Sequence, residues 1–490
     1  MSDSQADLIY GAAQAAADLA EAGLLSGIVS FDSAGGKDLL PEAELKNLQG
    51  GFAGASLDSR KLAAGELFVA MIGDHVDGRR FMPEVLADGH WVLAQDTDLN
   101  QRVLSSGQTD LPPGAGILLT ADPTGALACL AGNWRARLDL WVIGITGTNG
   151  KTTTKDFLAA MLRAAGPTWF TAGNFNNRLG LPLTLLGLRP DHRYAAIEMG
   201  ASAVGDIARL APLARPRVGV ITNASPAHLA EFGSLADIIQ GKGEILDALP
   251  ENGCAVLNAD SPGFGNWKDR APCPVESFGC ENADHVWTWS PQGQNGLPVL
   301  KMDGETWPVP LPGQHNGANL AAALLAARAC GLTEVQMREG LAGFVGSAHR
   351  GVLTMIAGRT VLDDCYNANP VSMLAAGRAV GRLPGSGRVV AVLGAMAELG
   401  DDSSAIHEDT GKRLAAGPVD LLIAVGKNAR PLGVGFDAGG GVSHYCDDLK
   451  EAALAAARHT RPGDRLLIKG SRSAAMEDIL PLLTEFFRKN

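Results

Sequence analysis

The chain has 490 residues, of which 46% are hydrophobic and 19% are charged, and this composition is typical of a folded globular protein. A chain of this length is too long for one ordinary hydrophobic core, so we expect several domains. The formal net charge of -12 argues against binding to nucleic acids or to acidic membrane surfaces, although a local cluster of Arg and Lys could still bind a small anion.

The cysteines and the N-terminus indicate the cellular compartment. The seven cysteines are dispersed and form no CxxC pair, which argues against a zinc site or a disulfide framework and favours a reducing cytosol. No basic residue precedes Lys37, so the N-terminus lacks the charged start of a signal peptide. No apolar run approaches the ~18 residues needed to span a bilayer. We therefore expect a cytoplasmic protein without membrane insertion, and we expect a monomer.

The first part of the chain divides into two regions. Residues 1–45 are rich in Ala and show a helical pattern between residues 8 and 21, which we interpret as an appended helix or arm. Residues 46–135 mix helices with short apolar strands at 66–70 and 91–94, and they contain a Pro/Gly-rich loop near Leu111. We predict that this second region is a small α/β domain.

Apolar strands alternate with helices in the rest of the chain. In residues 136–346 the predicted strands lie at 141–146, 194–198, 218–222 and 254–257, and a helix at 318–330 closes the region. In residues 347–490 the predicted strands lie at 360–363, 388–394, 421–425 and 465–468. This alternation indicates parallel sheets with crossover helices. We therefore predict an α/β protein of three domains that follow an N-terminal helical extension.

The strongest chemical signal is the string GITGTNGKTT at 144–153. An apolar strand leads into it, and Lys151 and Thr152 open a helix. In such a loop the backbone N–H groups surround phosphate oxygens, Lys151 reaches the β- and γ-phosphates, and Thr152 binds Mg²⁺. The strict GxxxxGK[ST] spacing is not met, because Ile145 stands where the first Gly should be, so a plain glycine-rich turn is the alternative. The flanking strand and helix favour a nucleotide site formed by Gly147, Thr148, Asn149, Gly150, Lys151, Thr152 and Thr153.

The string TGTNGKTT resembles the phosphate loop of the Mur ligases and of the folylpolyglutamate synthases. Other strings extend the resemblance to the Mur ligases from Leu57 to Glu477. They are DSR at 58–60, GELFV at 65–69, GNFNN at 173–177, GLPLT at 180–184, EMG at 198–200, HL at 228–229, DDCYNANP at 363–370, SM at 372–373, MAELG at 396–400 and KGSRS at 469–473. The DDxYNANPxSM and KGSRS strings are similar to those of the family members that add D-alanyl-D-alanine.

The resemblance implies a reaction and an architecture. ATP would phosphorylate the terminal carboxylate of UDP-N-acetylmuramoyl-tripeptide with the help of Mg²⁺. The amine of D-alanyl-D-alanine would then displace phosphate from the acyl phosphate, so that ADP and phosphate are released during peptidoglycan precursor synthesis. The implied architecture is a smaller N-terminal α/β domain, a central P-loop ATPase domain with a parallel sheet, and a C-terminal Rossmann-like domain.

The resemblance also implies catalytic and metal-binding residues, each with a simpler alternative. The implied catalytic residues are Lys151, Glu198, His228 and Lys242. Glu198 ends an apolar strand and would bind Mg²⁺ with Thr152, although a carboxylate there is often a cap or a surface charge. His228 would be another metal ligand, or an ordinary loop histidine. Lys242 would be carbamylated and would offer a carboxylate to the metal, or it would be a solvated surface lysine.

Further residues are implied in binding the nucleotide and the substrates. Asn319, Arg350 and Asp364 would contact ATP, although an Asn near a helix start is often a cap and the other two are common in linkers and at strand ends. Asp58, Ser59 and Arg60 would bind the uridine nucleotide, and Asn176, Asn177 and Thr184 the muramoyl part, where a plain Asn turn is the alternative. The candidates for the dipeptide and the ATP phosphates are Tyr366, Asn367, Asn369, Lys469 and Arg472.

The chain departs from the family pattern at a few positions. Arg79 replaces the usual His, Ala395 replaces the usual Asp, and His349 stands in place of the usual Gly before Arg350, while residues 1–45 have no counterpart.

Another Mur ligase or a folylpolyglutamate synthase would share the ATP chemistry, but the strings of the third domain favour D-alanyl-D-alanine. A nucleotide-binding regulator that does not ligate would need no second metal cluster, and the guanine-reading NKxD string is absent.

Overall fold

A computed structural model describes residues 10–31, 37–39, 42–73, 76–96, 112, 114–225, 232–291 and 298–489. The chain divides into two compact units. The first unit is Met1–Gly144, Gly166–Gly200 and Asp206–Pro216, and the second is Ile145–Ala165, Ala201–Gly205 and Arg217–Asn490. Within the described part of the chain, no helix has the length and apolar character needed to cross a bilayer.

In its described residues, the chain up to Ala136 forms a six-stranded mixed sheet, a separate antiparallel pair of short strands (Tyr10–Gly11 and Gly51–Phe52) and three α-helices. Its elements are β1 (Tyr10–Gly11), α1 (Ala12–Glu21), β2 (Gly27–Phe31), β3 (Lys37–Leu39), β4 (Gly51–Phe52), β5 (Ala55–Ser56), β6 (Leu67–Ala70), α2 (Met82–Ala87), β7 (Trp91–Gln95), β8 (Gly116–Thr120) and α3 (Pro123–Ala136). The strand order is β3-β2-β8-β7-β6-β5. Strands β5 to β8 are parallel to one another, and β2 is antiparallel to both of its neighbours, β8 and β3. The strands predicted at 66–70 and 91–94 are confirmed to within one residue.

The N-terminal helix is confirmed, but its surroundings differ from the arm expected from the sequence. Strand β2 pairs with β8 along four residues, and α1 packs on α3. Buried Asp18 on α1 accepts hydrogen bonds from Tyr10 and, at 2.8 Å, from Arg137 just after α3. Residues 10–31 are therefore part of the first folded body, whereas residues 8 and 9 of the predicted helix lie outside the described residues. In the sequence this strand reads GIVSF, so only two aliphatic residues follow each other and no apolar run marks the strand.

The middle of the chain alternates strands and helices, as predicted. Its elements are β9 (Trp141–Thr146), α4 (Lys151–Ala165), β10 (Thr168–Phe170), α5 (Gly180–Leu186), β11 (Tyr194–Glu198), α6 (Asp206–Ala214), β12 (Val218–Ile221), α7 (Leu235–Gly243), β13 (Cys254–Asn258), α8 (Phe264–Arg270), β14 (Val275–Gly279), β15 (His285–Ser290), β16 (Val299–Met302), β17 (Glu305–Pro308), α9 (Gln314–Ala329) and α10 (Glu334–Ala342). Strand β9 runs from the first unit into the second. In the first unit β10 and β11 are parallel. In the second, β12 to β17 follow in order, and the pairs β15–β16 and β16–β17 are antiparallel.

The last part of the chain is a doubly wound α/β layer structure. Its elements are β18 (Val352–Ile356), β19 (Arg359–Asp363), α11 (Pro370–Gly381), β20 (Val389–Leu393), α12 (Ser403–Ala415), β21 (Leu421–Val425), α13 (Arg430–Ala438), β22 (Ser443–Cys446), α14 (Leu449–His459), β23 (Arg465–Lys469) and α15 (Ile479–Lys489). The order is β18-β19-β23-β20-β21-β22, and only β18 runs antiparallel. Alternate strand residues face two separate cores, so Leu362 packs with α11 to α13 while Val361 packs with α14 and α15. The α/β fold class predicted from the sequence is confirmed.

Candidate functional site

The glycine-rich loop connects β9 to α4 through backbone conformations that require glycine. Gly147 has φ +143° and Gly150 has φ +84°. A Cβ atom on Gly147 would lie 1.9 Å from Thr222 Oγ1, and one on Gly150 would lie 2.1 Å from Asn319 Oδ1. The Lys151 ammonium folds back over the loop and donates to the Gly147 carbonyl at 2.9 Å. The loop therefore presents N–H groups, a helix N-terminus and a cation at one place, which suits a phosphate group.

Two polar residues after β12 hold this loop, and neither was among the site residues predicted from the sequence. Thr222 Oγ1 donates to the Asn149 carbonyl at 2.6 Å, and Asn223 Nδ2 donates to the same oxygen at 2.9 Å. The Asn223 side-chain oxygen accepts from the Asn149 N–H at 3.1 Å. Their signal in the sequence is a pair of polar residues directly after an apolar strand, where loops of a parallel sheet gather around a ligand.

Asn319 lies beside the loop and is not a helix cap. Helix α9 begins at Gln314, its N-cap position is Gly313, and Asn319 sits in the second turn. The side chain is buried and donates to Asn316 Oδ1 at 3.1 Å. The simpler capping interpretation of Asn319 is therefore wrong, and its proximity to Gly150 fits a role near the nucleotide.

Asn369 connects the loop to the C-terminal region. Its Nδ2 donates to Asn149 Oδ1 at 2.7 Å, while its own Oδ1 accepts from the Ser372 N–H at 2.9 Å and caps α11. The DDCYNANP string thus touches the phosphate loop directly. A contact of Asn369 with the dipeptide stays a prediction.

Several other residues predicted in the third domain meet at the carboxyl ends of β19 and β23. Buried Lys469 donates to Asp364 Oδ2 at 2.5 Å and to the Asn367 carbonyl at 2.9 Å. The Arg350 guanidinium lies 3.8 Å from the centre of the Tyr366 ring. Arg472 behaves differently, because its side chain is 66% exposed and pairs with Glu477. The structure therefore brings the first five of these residues together in two groups and leaves Arg472 at the surface.

In the first unit, Glu198 ends β11 as a buried carboxylate. Asn176 Nδ2 donates to Glu198 Oε1 at 2.7 Å, and the Glu198 N–H donates to Thr171 Oγ1 at 2.9 Å. Because Glu198 is buried and accepts a hydrogen bond from the Asn176 amide, the alternative interpretation of Glu198 as a surface charge is wrong. Asn177 instead accepts from the N–H groups of Leu179 and Gly180, which favours the turn interpretation for that side chain. Buried Thr184 donates to the Gly180 carbonyl within its own helix at 3.0 Å.

Lys242 is buried in the last turn of α7, so the solvated-lysine alternative is wrong. Its Nζ donates to the Ala201 carbonyl at 3.1 Å and lies 5.0 Å from the centre of the Phe232 ring. His228 lies outside the described residues. Within the described ranges, no group of three or more His, Cys, Asp or Glu side chains is arranged as a metal site. The Thr152 hydroxyl and the Glu198 carboxylate are oxygen donors of the kind that Mg²⁺ prefers.

The DSR string of the first unit forms a compact surface turn. Asp58 caps the short 3₁₀ helix Ser59–Lys61 and accepts from Arg60 Nε at 2.8 Å, while the Arg60 side chain is 85% exposed. The hydrogen bond from Arg60 lowers the pKa of Asp58 to about 2. Asp77 and Arg79 repeat this arrangement, with Arg79 Nη2 at 2.7 Å from Asp77 Oδ2. The turn exposes a guanidinium to solvent, where it can meet an anionic substrate.

Comparison with known proteins gives a consistent result. Residues 145–327 match the family model described as Mur ligase middle domain, and residues 350–472 match that described as Mur ligase, glutamate ligase domain. The UDP-N-acetylmuramoyl-tripeptide–D-alanyl-D-alanine ligase of Escherichia coli (strain K12) is 35% identical over an alignment of 451 residues that covers 87% of this chain and 93% of that protein. MurF from Acinetobacter baumannii has a TM-score of 0.76 at 31% identity, covering 88% of this chain and 93% of that one. MurF ligase from Thermotoga maritima, in complex with ADP, has a TM-score of 0.76 at 29% identity and covers 89% and 98%.

Proposed function

The chain belongs to the Mur ligase family, and from this we propose that it joins D-alanyl-D-alanine to UDP-N-acetylmuramoyl-tripeptide with ATP, releasing ADP and phosphate. One contact carries the proposal. The phosphate loop is bonded through Asn149 to Asn369, which lies in the string that resembles the D-alanyl-D-alanine-adding members. The loop that suits ATP and the region proposed for the dipeptide are therefore adjacent.

The reaction has two displacements. A carboxylate oxygen of the tripeptide attacks the γ-phosphorus of ATP, and ADP leaves. The dipeptide amine then attacks the acyl carbon, and phosphate leaves with the bonding electrons while the amine loses a proton. Both substrates are anionic, so the main task of the protein is to align them and to stabilise the negative charge. Lys151, the loop N–H groups and the N-terminus of α4 supply positive charge where the γ-phosphoryl group would lie.

Mg²⁺ fits the donors offered by this chain. Thr152 and Glu198 would hold it with His228, and the bound ion would neutralise charge on the ATP phosphates. An ammonium at Lys242 would repel a bound Mg²⁺. The Ala201 carbonyl and the Phe232 ring beside it would nevertheless stabilise an ammonium. Carbamylation by CO₂ would replace that positive charge with a carboxylate, so we include a carbamylated Lys242 in the proposal.

The remaining assignments follow the resemblance to the Mur ligases. Asn319, Arg350 and Asp364 are proposed for the nucleotide, and Lys469 would orient Asp364 or meet a phosphate. The exposed Arg60, with Asp58 and Ser59, is proposed for the uridine nucleotide. The muramoyl candidates are Asn176, Asn177 and Thr184, and the dipeptide candidates are Tyr366, Asn367, Asn369 and Arg472.

A phosphate-release assay with purified protein tests the function. ATP, UDP-N-acetylmuramoyl-tripeptide and D-alanyl-D-alanine should all be required, and ADP should be the nucleotide product. Single D-Ala, L-Ala or glutamate in place of the dipeptide are the matched controls and should give no ligated product. AMP and pyrophosphate would overturn the acyl-phosphate route. Ligation of glutamate to a folate would favour the folylpolyglutamate synthase alternative, and nucleotide binding without ligation would favour the regulator.

A further inference from the structure

The segment between α10 and β18 carries Arg350 and is bonded to two other elements through the side chains of Ser347 and His349. Ser347 Oγ donates to Asp156 Oδ2 at 2.6 Å, and Asp156 lies on α4, the helix that opens with Lys151. Two residues further on, His349 Nδ1 lies 2.8 Å from Asp363 Oδ2 at the end of β19. The segment therefore links the helix of the phosphate loop to the strand end that leads into the DDCYNANP string.

His349 has a backbone conformation that disfavours any side chain. Its φ is +61°, in the left-handed region where glycine is usual. Such a residue persists when its surroundings fix it, and such residues cluster at functional sites. Here the carbonyl of His349 accepts from the Tyr366 N–H at 3.0 Å, while its imidazole donates to the buried carboxylate of Asp363. Backbone and side chain of one residue are thus both bound to the loop 363–366.

The next residue, Arg350, is held by the same loop. Its guanidinium lies 3.8 Å from the centre of the Tyr366 ring, and the backbone N–H of Tyr366 donates to the His349 carbonyl. Among the described residues, the buried Nε of Arg350 has no hydrogen-bond partner. An arginine stacked by its face keeps its edge N–H groups for an anion. The direction of that edge depends on the backbone of residue 349, one peptide bond away.

We propose that His349 is a positioning residue for Arg350. The bond between its imidazole and Asp363 keeps residue 349 left-handed, and this conformation aims the edge of the guanidinium at a phosphate of the nucleotide. The identity of that anion rests on the proposed function. The bond itself is local to the second unit, and its effect on nucleotide affinity can be measured without ligation.

Two variants separate the backbone from the imidazole. His349→Gly keeps the left-handed conformation accessible and removes the bond, whereas His349→Asn keeps both, because Asn tolerates this region and its amide stands at the bonded position of Nδ1. We expect His349→Gly to raise the KM for ATP by about tenfold or more and to leave the KM for the UDP-linked tripeptide unchanged. The Asn variant should restore most of the affinity.

The control is Ala357→Gly, in the turn between β18 and β19. Ala357 also has a positive φ, of +46°, so glycine relieves the same kind of backbone strain there, away from Arg350. It should leave both KM values unchanged. In the background of Arg350→Ala, His349→Gly should have little further effect on ATP, because residues that act together are not additive.

Three results would overturn the proposal. They are an unchanged KM for ATP in His349→Gly, an equal loss for both substrates, or an effect that adds fully to that of Arg350→Ala. Measuring the affinity for ADP alone distinguishes failure of the His349 proposal from failure of the proposed ligase function. A parent protein that binds ADP in an Arg350- and His349-dependent manner, but ligates no dipeptide, would refute only the function.

Discussion

Replacing Gly150 by Ala tests whether close packing in the phosphate loop is required for nucleotide binding. An added Cβ would lie 2.1 Å from Asn319 Oδ1 and 2.9 Å from its Cγ, so the Asn319 side chain must move. Because Asn319 is buried and bonded to Asn316, the movement breaks a hydrogen bond worth ~1 kcal/mol. The left-handed backbone adds ~1–2 kcal/mol for any residue with a Cβ. We expect a loss of ~2–3 kcal/mol in the free energy of unfolding.

Gly331 provides the matched control. It has φ +81° against +84° for Gly150, and an added Cβ there meets nothing within 4 Å. Gly331→Ala should therefore lose only the backbone part, so the two variants should differ by ~1 kcal/mol in urea unfolding. Gly150→Ala should also weaken ADP binding about tenfold or more, measured by calorimetry, while Gly331→Ala binds like the parent. Equal stability losses and unchanged ADP affinity would refute the reasoning.

The remaining predictions concern two lysines and a histidine. Lys151→Ala should lower kcat in the phosphate-release assay by ~10²–10³-fold, because one charge that stabilises the transferred phosphoryl group is lost. Lys242→Ala should lose most activity, and added bicarbonate should restore part of it by supplying the missing carboxylate charge. His285→Gln should remove a stabilising contribution that depends on pH. Burial lowers the pKa of His285, but its bonds to Glu276 and Asp303 outweigh burial and raise it above the ordinary value of 6.5. The contribution is therefore full below pH 6.5 and is lost as the pH rises through the raised pKa, which urea unfolding across this range measures.

Each of these predictions has an outcome that contradicts it. Lys151→Ala with near-parent turnover would mean that the loop does not hold the reacting nucleotide. Full activity in Lys242→Ala would limit that residue to its contacts with Ala201 and Phe232, and the exposed Lys268→Ala is the control for general loss of a lysine. A stability difference between His285→Gln and its parent that does not change with pH would show that the ion pairs contribute nothing.

Local patterns in the sequence predicted the fold well. The strands at 141–146, 194–198 and 421–425 match the structure at both ends, because each is an apolar run closed by turn residues. The conformation of the glycine-rich loop could be predicted for the same reason, since a strand, a glycine-rich turn and a helix follow each other in the chain. Strand β2 has the same length as the strands at 194–198 and 421–425, but its sequence GIVSF has Gly and Ser on either side of two aliphatic residues and so lacks an apolar run.

Contacts between distant residues could not be predicted from the sequence. Asn369 and Asn149 are 220 positions apart, so their hydrogen bond depends on how the domains fold. The same holds for Asn176, whose amide bonds Glu198 across 22 positions. The left-handed backbone conformation of His349 could not be predicted from the sequence either, although His349 was noted as a departure from the usual Gly before Arg350. The physical meaning of that departure became clear only from the φ of His349 in the structure.

Strand β2 occupies an edge of β8 that would otherwise be open to pairing with another strand. In the order β3-β2-β8-β7-β6-β5, it covers the edge of β8, whose five residues from Gly116 to Thr120 are all buried. A chain shortened to begin after residue 31 would uncover a row of unpaired N–H and C=O groups on an apolar strand. Such an edge is a template for pairing with another copy of the same strand, and sedimentation would detect the resulting aggregates. The N-terminal segment would then matter to the solubility of the enzyme even if it took no part in catalysis.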